Sequence, residues 1–210
     1  MKPMRVLALA VPLAALLGLV VAGTSSATVL CSTTANPCPA GQKVPVGTFA
    51  KGSLPSGSSA SFTNTQGEQV ATCSQAIISG TLENAGSATE TPSGKGGPEN
   101  VTWGGCTFPM KTIHGGTVEV HHIAGTDNGT VTASEFETTF NTIFFGSCIY
   151  TYGTGTDIGV ITGGTKPSLD VNMVLNKASG SAFACPATIR GAGEGIITEP
   201  TNTPIYVVDS

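Results

Sequence analysis

Through residues 28–210 apolar side chains recur at every second position in short runs, and the three-and-four spacing of an amphipathic helix is absent. In 117–123, Val118, Val120 and His122 fall on one side, and Glu119 and His121 on the other. In 168–176, Leu169, Val171, Met173 and Leu175 point one way, with Asp170, Asn172 and Val174 opposite. Runs rich in Val, Ile, Thr and Phe, bounded by Gly, Pro, Asn and Ser, predict strands over 44–50, 60–64, 69–74, 77–83, 101–103 and 117–123. Further strands are predicted over 129–133, 135–145, 157–162, 169–175, 187–190 and 204–208. Turns are predicted at 55–57, 91–98, 127–129 and 162–164, and 86–100 reads as an exposed loop. One-sided alternation suits antiparallel sheets with one buried face, so the expected fold is all-β, an antiparallel β-sandwich or distorted barrel. No fixed repeat period supports a solenoid. The 28 glycines and 13 prolines leave few windows for helices.

The N-terminus follows a different pattern. A basic stretch containing Lys2 and Arg5 precedes an uncharged run over 6–23 and then Thr24-Ser25-Ser26-Ala27. This is the order of a cleavable secretory signal, with cleavage expected after Ala27. The organisation read from the chain is a signal peptide at 1–27 and a single all-β domain at 28–210. Gly18, Gly23 and the polar 24–26 stretch speak against a membrane anchor, so no span is expected after cleavage. Leu30 stands before Cys31 where lipoprotein processing needs a small residue. A single Arg5 is not a twin-arginine signal.

Cys31, Cys38, Cys73, Cys106, Cys148 and Cys185 all follow the cleavage point. An even number of cysteines in an exported chain implies disulfides, and the expected location is secreted or cell-envelope. Sequential pairing is favoured: Cys31–Cys38 across the Asn36-Pro37 turn, then Cys73–Cys106 and Cys148–Cys185. A crossed set, such as one joining Cys106 to Cys148, is the competing topology. No C-x2-C pair occurs, so a zinc site is not expected.

The run from Cys73 through Ser79-Gly80-Thr81-Leu82 and Asn84-Ala85-Gly86, then Val101-Thr102 and Cys106-Thr107, with the closing Pro204-Ile205-Tyr206-Val207, resembles a group of small exported proteins of actinobacterial type that have no characterised function. The resemblance covers most of residues 28–210. It implies an exported, disulfide-bonded β domain and brings no activity, ligand or catalytic residue.

Candidate chemistry is sparse. Residues 127–136 look like the second half of an EF-hand loop, but Ala124 occupies the first ligand position, where a carboxylate is needed. A hairpin turning through Asn128-Gly129 explains the same residues. Glu119 and His121 share one strand face, whereas His121 and His122 point to opposite faces and do not readily share an ion. The Glu119/His121 spacing could place two ligands on one metal, with His114, in a glycine-rich turn, folding back as a third, but a surface Glu–His neighbour pair is the favoured reading. No G-x-S-x-G elbow is present. Asp157, Asp170, Glu119 and Glu135 have no spacing that pairs them as hydrolytic carboxylates. Trp103, the single tryptophan, is expected to pack beside a disulfide. The Asn100 and Asn128 sequons have meaning only in a pathway that glycosylates them.

Composition then narrows the partners. Without Lys2 and Arg5, 7 basic residues face 13 acidic ones, a net charge of about −6, which gives no footprint for nucleic acid. With 40% hydrophobic and 10% charged residues the chain has a core rather than the composition of a disordered segment. The reading is a non-enzymatic binding or structural domain outside the cytoplasm, with no cofactor and no metal. A polar Thr/Ser/Asn-rich surface suits carbohydrate or protein at the cell surface. The competing class is a small secreted hydrolase with a site near His114 or His121.

Overall fold

The computed structural model describes residues 27–142 and 146–210. Apart from Ala27, the expected signal peptide lies outside the described residues, as does the end of the strand predicted over 135–145. The first strand begins at the residue that follows the expected cleavage point. The described residues form thirteen strands: β1 (Thr28–Cys31), β2 (Phe49–Ser53), β3 (Ala60–Asn64), β4 (Gln69–Asn84), β5 (Ser93–Lys95), β6 (Val101–Cys106) and β7 (Met110–His122), then β8 (Gly129–Thr142), β9 (Gly146–Thr151), β10 (Thr156–Thr162), β11 (Ser168–Lys177), β12 (Thr188–Glu199) and β13 (Tyr206–Asp209). Two short 3₁₀ turns, Ala40–Gln42 and Pro98–Asn100, are the only helical pieces among the described residues.

Every ladder is antiparallel, and the pairings close on themselves. β4 pairs with β2, β2 with β12, β12 with β11, β11 with β10, β10 with β8, β8 with β7, β7 with β5, and β5 returns to β4. The molecule is therefore a flattened, sandwich-like barrel. Toward the other end β3 bridges β4 and β12, β9 bridges β8 and β11, and β6 lies on β4. Closure leaves few free edges, the usual hazard of an open sheet.

Alternation along each strand sets what points inward. Val118 and Val120 on β7, Val131 and Ala133 on β8, and Leu169, Val171, Met173 and Leu175 on β11 all lie on the inner face in the observed register. One end is packed solid. Phe62, Phe140, Tyr150, Leu175 and Ile189 are almost fully buried there. Phe62 meets Phe140 and Phe140 meets Tyr150 edge-to-face, with ring centroids 5.0 Å and 5.6 Å apart. The Tyr150 hydroxyl donates to Pro186 O at 3.0 Å, and burial pushes its phenol up to about 12.

The other end is closed by a two-stranded ribbon of the first and last described strands, the terminal ribbon. β1 pairs with β13, and Val29 and Val207 are wholly buried beneath it. Backbone bonds tie it to the barrel: Leu30 N to Ala85 O at 3.0 Å and Val207 N to Asp127 O at 3.1 Å. His122, its side chain 1% exposed, fixes the ribbon from within. His122 Nδ1 lies 2.8 Å from Asp209 Oδ1, and Nε2 lies 2.6 Å from the Thr126 carbonyl.

Three disulfides staple this frame in the sequential pairing. Cys31–Cys38, Cys73–Cys106 and Cys148–Cys185 enclose separations of 7, 33 and 37 residues, and no cysteine is free. Cys73 and Cys106 stand directly opposite each other in the β4–β6 ladder.

Several local expectations are corrected. The runs 69–74 and 77–83 are one long strand, β4, and 129–133 and the described part of 135–145 belong to one strand, β8, bent at Glu135 in the left-handed region (φ 64°). This kink faces Gly116 (φ 74°) on β7 and shifts the alternation, so that both Ala133 and Phe136 face inward. The loop expected over 86–100 contains β5, which completes the ring, and Gly86 is buried so tightly that a Cβ would strike Thr28 O. The strand predicted over 44–50 begins only at Phe49, after a left-handed Gly47. The β7–β8 turn does not run through Asn128-Gly129. His122 pairs with Gly129, and the loop closes over 123–128 with Gly125 left-handed (φ 78°). Gly129 serves packing instead, since a Cβ there would lie 2.7 Å from Val120 Cγ1.

Candidate functional site: a hollow inside the barrel

Between the packed end and the terminal ribbon the barrel is not filled. The cause is which residues take the inner positions. β12 puts Gly191, Gly193 and Gly195 inward in succession, opposite Met173, Val171 and Leu169 of β11. Ala50 and Gly52 of β2 face inward beside Gly80 and Ile78 of β4, and Gly94 of β5 continues the small-residue wall. Val118, Val120, Val131, Phe136, Ile158 and Ile161 continue the lining. A wall without side chains, continued by branched and aromatic ones, leaves a cavity of ≈ 270 Å³.

The glycines of the wall are not equivalent. A Cβ on Gly80 would meet Lys95 O at 2.8 Å, and one on Gly191 would meet Met173 Cε at 2.9 Å, so these allow strands and side chains to approach closely. A Cβ on Gly52 would find nothing nearer than Ile196 O at 3.7 Å, and one on Gly195 nothing nearer than Leu169 O at 3.8 Å. Neither has a positive φ. Gly52 and Gly195 thus border open space with a backbone that any residue adopts.

Burial agrees with this. Leu82, Val118, Val120, Leu169, Val171 and Ile197 are inward-facing yet only partly buried, and Ile78, also inward, is 40% exposed. Lys51, Lys95 and Glu194 touch the hollow, but their register puts the side chains on the outer face. The inner surface is accordingly apolar, with two aromatic polar groups on it. Trp103 packs on Phe62 with ring centroids 5.6 Å apart, and its Nε1 donates to Thr112 Oγ1 at 2.9 Å. It lies inside the barrel, three residues from Cys106. Tyr152 stacks on Phe136, with centroids 5.2 Å apart and ring planes at 11°, and is 7% exposed. Burial raises its phenol well above the ordinary range. Its hydroxyl makes no hydrogen bond with any described residue.

The histidines do not converge. His114 is exposed and borders a second, open recess of ≈ 500 Å³ whose lining includes Lys95, Glu135, Glu137 and Thr151. No hydrogen bond or ion pair joins it to either glutamate among the described residues. His121 is on the outer face further along β7, where Nε2 is 3.3 Å from Thr132 Oγ1 and 3.8 Å from Glu119 Oε2. His122 is the buried clamp of the terminal ribbon. Of the carboxylates considered for hydrolysis, Asp157 accepts from Gly159 N at 3.0 Å, and Asp170 lies on the outer face of β11. Among the described residues no group of three or more His, Cys, Asp and Glu side chains gathers as metal ligands do. No described helix is long and apolar enough to cross a membrane.

The hollow escaped the sequence reading because a glycine at a strand position reads as an end of the strand. The signal was available in Gly191-Ala192-Gly193-Glu194-Gly195, where glycine keeps the two-residue period of an inner face.

The architecture defines a disulfide-stapled, closed antiparallel β domain with an apolar hollow. No family model matches the chain, and no curated protein and no solved structure shows significant similarity to it.

Proposed function

We propose that the protein is an exported, non-enzymatic binding domain and that the barrel hollow is its site for a small apolar molecule. The observation that carries this is the cavity of ≈ 270 Å³ between a wall of glycines and a wall of branched side chains. Protein interiors are close-packed, and voids of this size are rare. At about 24 cal/mol per Å³, the packing that side chains forgo over this volume is at most about 6 kcal/mol, comparable with the net stability of a whole domain. A hollow that expensive fits a ligand-binding role. Three disulfides support the placement outside the cytoplasm, as do the signal-like 1–27 segment and the resemblance to exported proteins. The outward Thr- and Ser-rich faces supply solubility, and the tryptophan that would serve a carbohydrate platform is turned inward.

The test uses the exported form, whose intact mass should begin at Thr28. Naphthalene should bind one-to-one by calorimetry and raise the melting temperature, and glucose and N-acetylglucosamine should do neither. Failure of naphthalene to bind, with a saccharide binding instead, would overturn the assignment of the hollow.

A further inference from the structure

We propose that the molecule held in the hollow is a compact neutral hydrocarbon skeleton bearing one oxygen function, and that this oxygen hydrogen-bonds to the Tyr152 hydroxyl. The inference rests on the reading of the hollow as a binding site and adds to it the chemistry of the occupant.

Tyr152 continues the inward alternation of Cys148 and Tyr150 along β9. Its ring lies flat on Phe136, and both rings border the cavity. The other buried polar groups of this interior are satisfied within the fold: Tyr150 by the Pro186 carbonyl, Trp103 by Thr112, and Thr138 by the Lys111 carbonyl. Tyr152 alone among these aromatic side chains leaves its polar atom without a described partner. No fully buried side-chain N or O among the described residues lacks a partner, so the Tyr152 hydroxyl keeps accessible surface; phenylalanine would give the same stacking on Phe136 without it. A hydroxyl kept there is the pattern of a ligand pocket, apolar walls with one polar group fixing orientation.

The same surroundings define what is excluded. No Lys, Arg, His, Asp or Glu side chain points into the hollow, so a carboxylate, phosphate or ammonium would be buried without a counter-charge. Burial keeps the phenol neutral through the physiological range, able to donate to a carbonyl or ether oxygen or to accept from an alcohol. For size, an apolar cavity of about 150 Å³ accommodates benzene. On that scale ≈ 270 Å³ holds roughly eleven non-hydrogen atoms. A small alcohol, phenol, ketone or ester with a compact carbon skeleton meets all these conditions.

Naphthalene and 2-naphthol, which differ by one oxygen, test the assignment against the full exported protein and its Tyr152→Phe variant. Comparing the ratio of the two dissociation constants between the two proteins cancels the difference in hydration of the ligands. The ratio should shift by about tenfold against 2-naphthol in Tyr152→Phe, with naphthalene binding unchanged. An unchanged ratio would remove Tyr152 from the site while leaving the hollow as one. Absence of binding by both compounds to the unsubstituted protein would sink the binding reading and this one with it. Melting gives a second readout, because a hydroxyl with no partner in the fold is not needed for stability. Tyr152→Phe should melt at the same temperature or higher, and a loss of several degrees would show that the hydroxyl serves the fold.

Discussion

Replacing Gly52 and Gly195 by valine should stabilise the protein and close it to ligands. Both positions face inward, both have ordinary strand backbone, and a Cβ at either stays at van der Waals distance from its nearest neighbours, 3.7 Å from Ile196 O and 3.8 Å from Leu169 O respectively. Gly→Val adds three carbons, which at about 0.8 kcal/mol each amount to roughly 2.4 kcal/mol per site when buried. Valine is also a better strand former than glycine, by a further fraction of a kcal/mol. For a domain of this size each substitution should raise the melting temperature by roughly 5–9 °C. In volume, three carbons occupy about 75 Å³ on the benzene scale, so the pair removes more than half of the ≈ 270 Å³.

Trp103, which borders the hollow, serves as the reporter. Its emission should respond to decalin, a transparent hydrocarbon of about ten carbons, in the unsubstituted protein and not in Gly52→Val/Gly195→Val. Gly80→Val is the contrast. Its Cβ would lie 2.8 Å from the Lys95 carbonyl, so it should lower the melting temperature despite bordering the same space. If Gly52→Val and Gly195→Val destabilise as Gly80→Val does, or if decalin binds the double variant unchanged, the glycine wall does not border a hollow.

Other outcomes follow from the same structure. Non-reducing peptide mapping should return Cys31–Cys38, Cys73–Cys106 and Cys148–Cys185, and reduction should abolish folding or lower the melting temperature severely, since the two longer loops contribute about 7 kcal/mol in the chain-entropy model. His122→Ala should lower the denaturant midpoint by an amount equivalent to about 2–4 kcal/mol, because it removes a buried ring and leaves the Thr126 carbonyl and Asp209 without it. Tyr150 binds its proton more tightly folded (about 12) than unfolded (10.0), so its contribution is intact below pH 10 and lost as pH rises through about 12. A pH titration of stability should be flat with respect to this group below 10 and fall above it.

What could be read from the chain was whatever alternation carries. The inward set Val118, Val120, His122 and Leu169, Val171, Met173, Leu175 was legible because large apolar and polar residues take turns. The disulfide pairing was legible because the cysteines nearest in sequence are also neighbours in the fold. Closure was not legible. β5 is three residues, Ser93–Lys95, set in a stretch whose Gly and Pro content signals a loop, and only its position between β4 and β7 makes it a strand. β12 was foreseen only over 187–190, because Gly191, Gly193 and Gly195 carry no hydrophobic mark, although they occupy the inner face. The candidate site was hidden for the same reason, being defined by the side chains that are absent. The chemistry-bearing residues drew attention to β7, where His114, His121 and His122 turn out to serve three separate surroundings.

The hollow and the disulfides are linked energetically, and that link gives the strongest check on the interpretation. Side chains leave ≈ 270 Å³ without packing, which withholds at most about 6 kcal/mol from the folded state. The bridges Cys73–Cys106 and Cys148–Cys185, over separations of 33 and 37 residues, add about 7 kcal/mol by restricting the unfolded chain. The two terms are close in size and opposite in sign, so the staples offset the packing that this interior forgoes. If that is so, filling the interior should reduce the need for them. Gly52→Val/Gly195→Val should recover roughly 5 kcal/mol of packing, enough to offset the loss of one bridge, at about 4 kcal/mol. Cys148→Ser/Cys185→Ser, expected to be severely destabilised alone, should fold to a cooperative transition near that of the unsubstituted protein when combined with the two valines. Denaturant unfolding of the four combinations reads this directly. If the valines do nothing for the bridge-less protein, the bridges serve local geometry at their own end of the barrel, and the hollow is sustained by the packing of Phe62, Phe140 and Tyr150 alone.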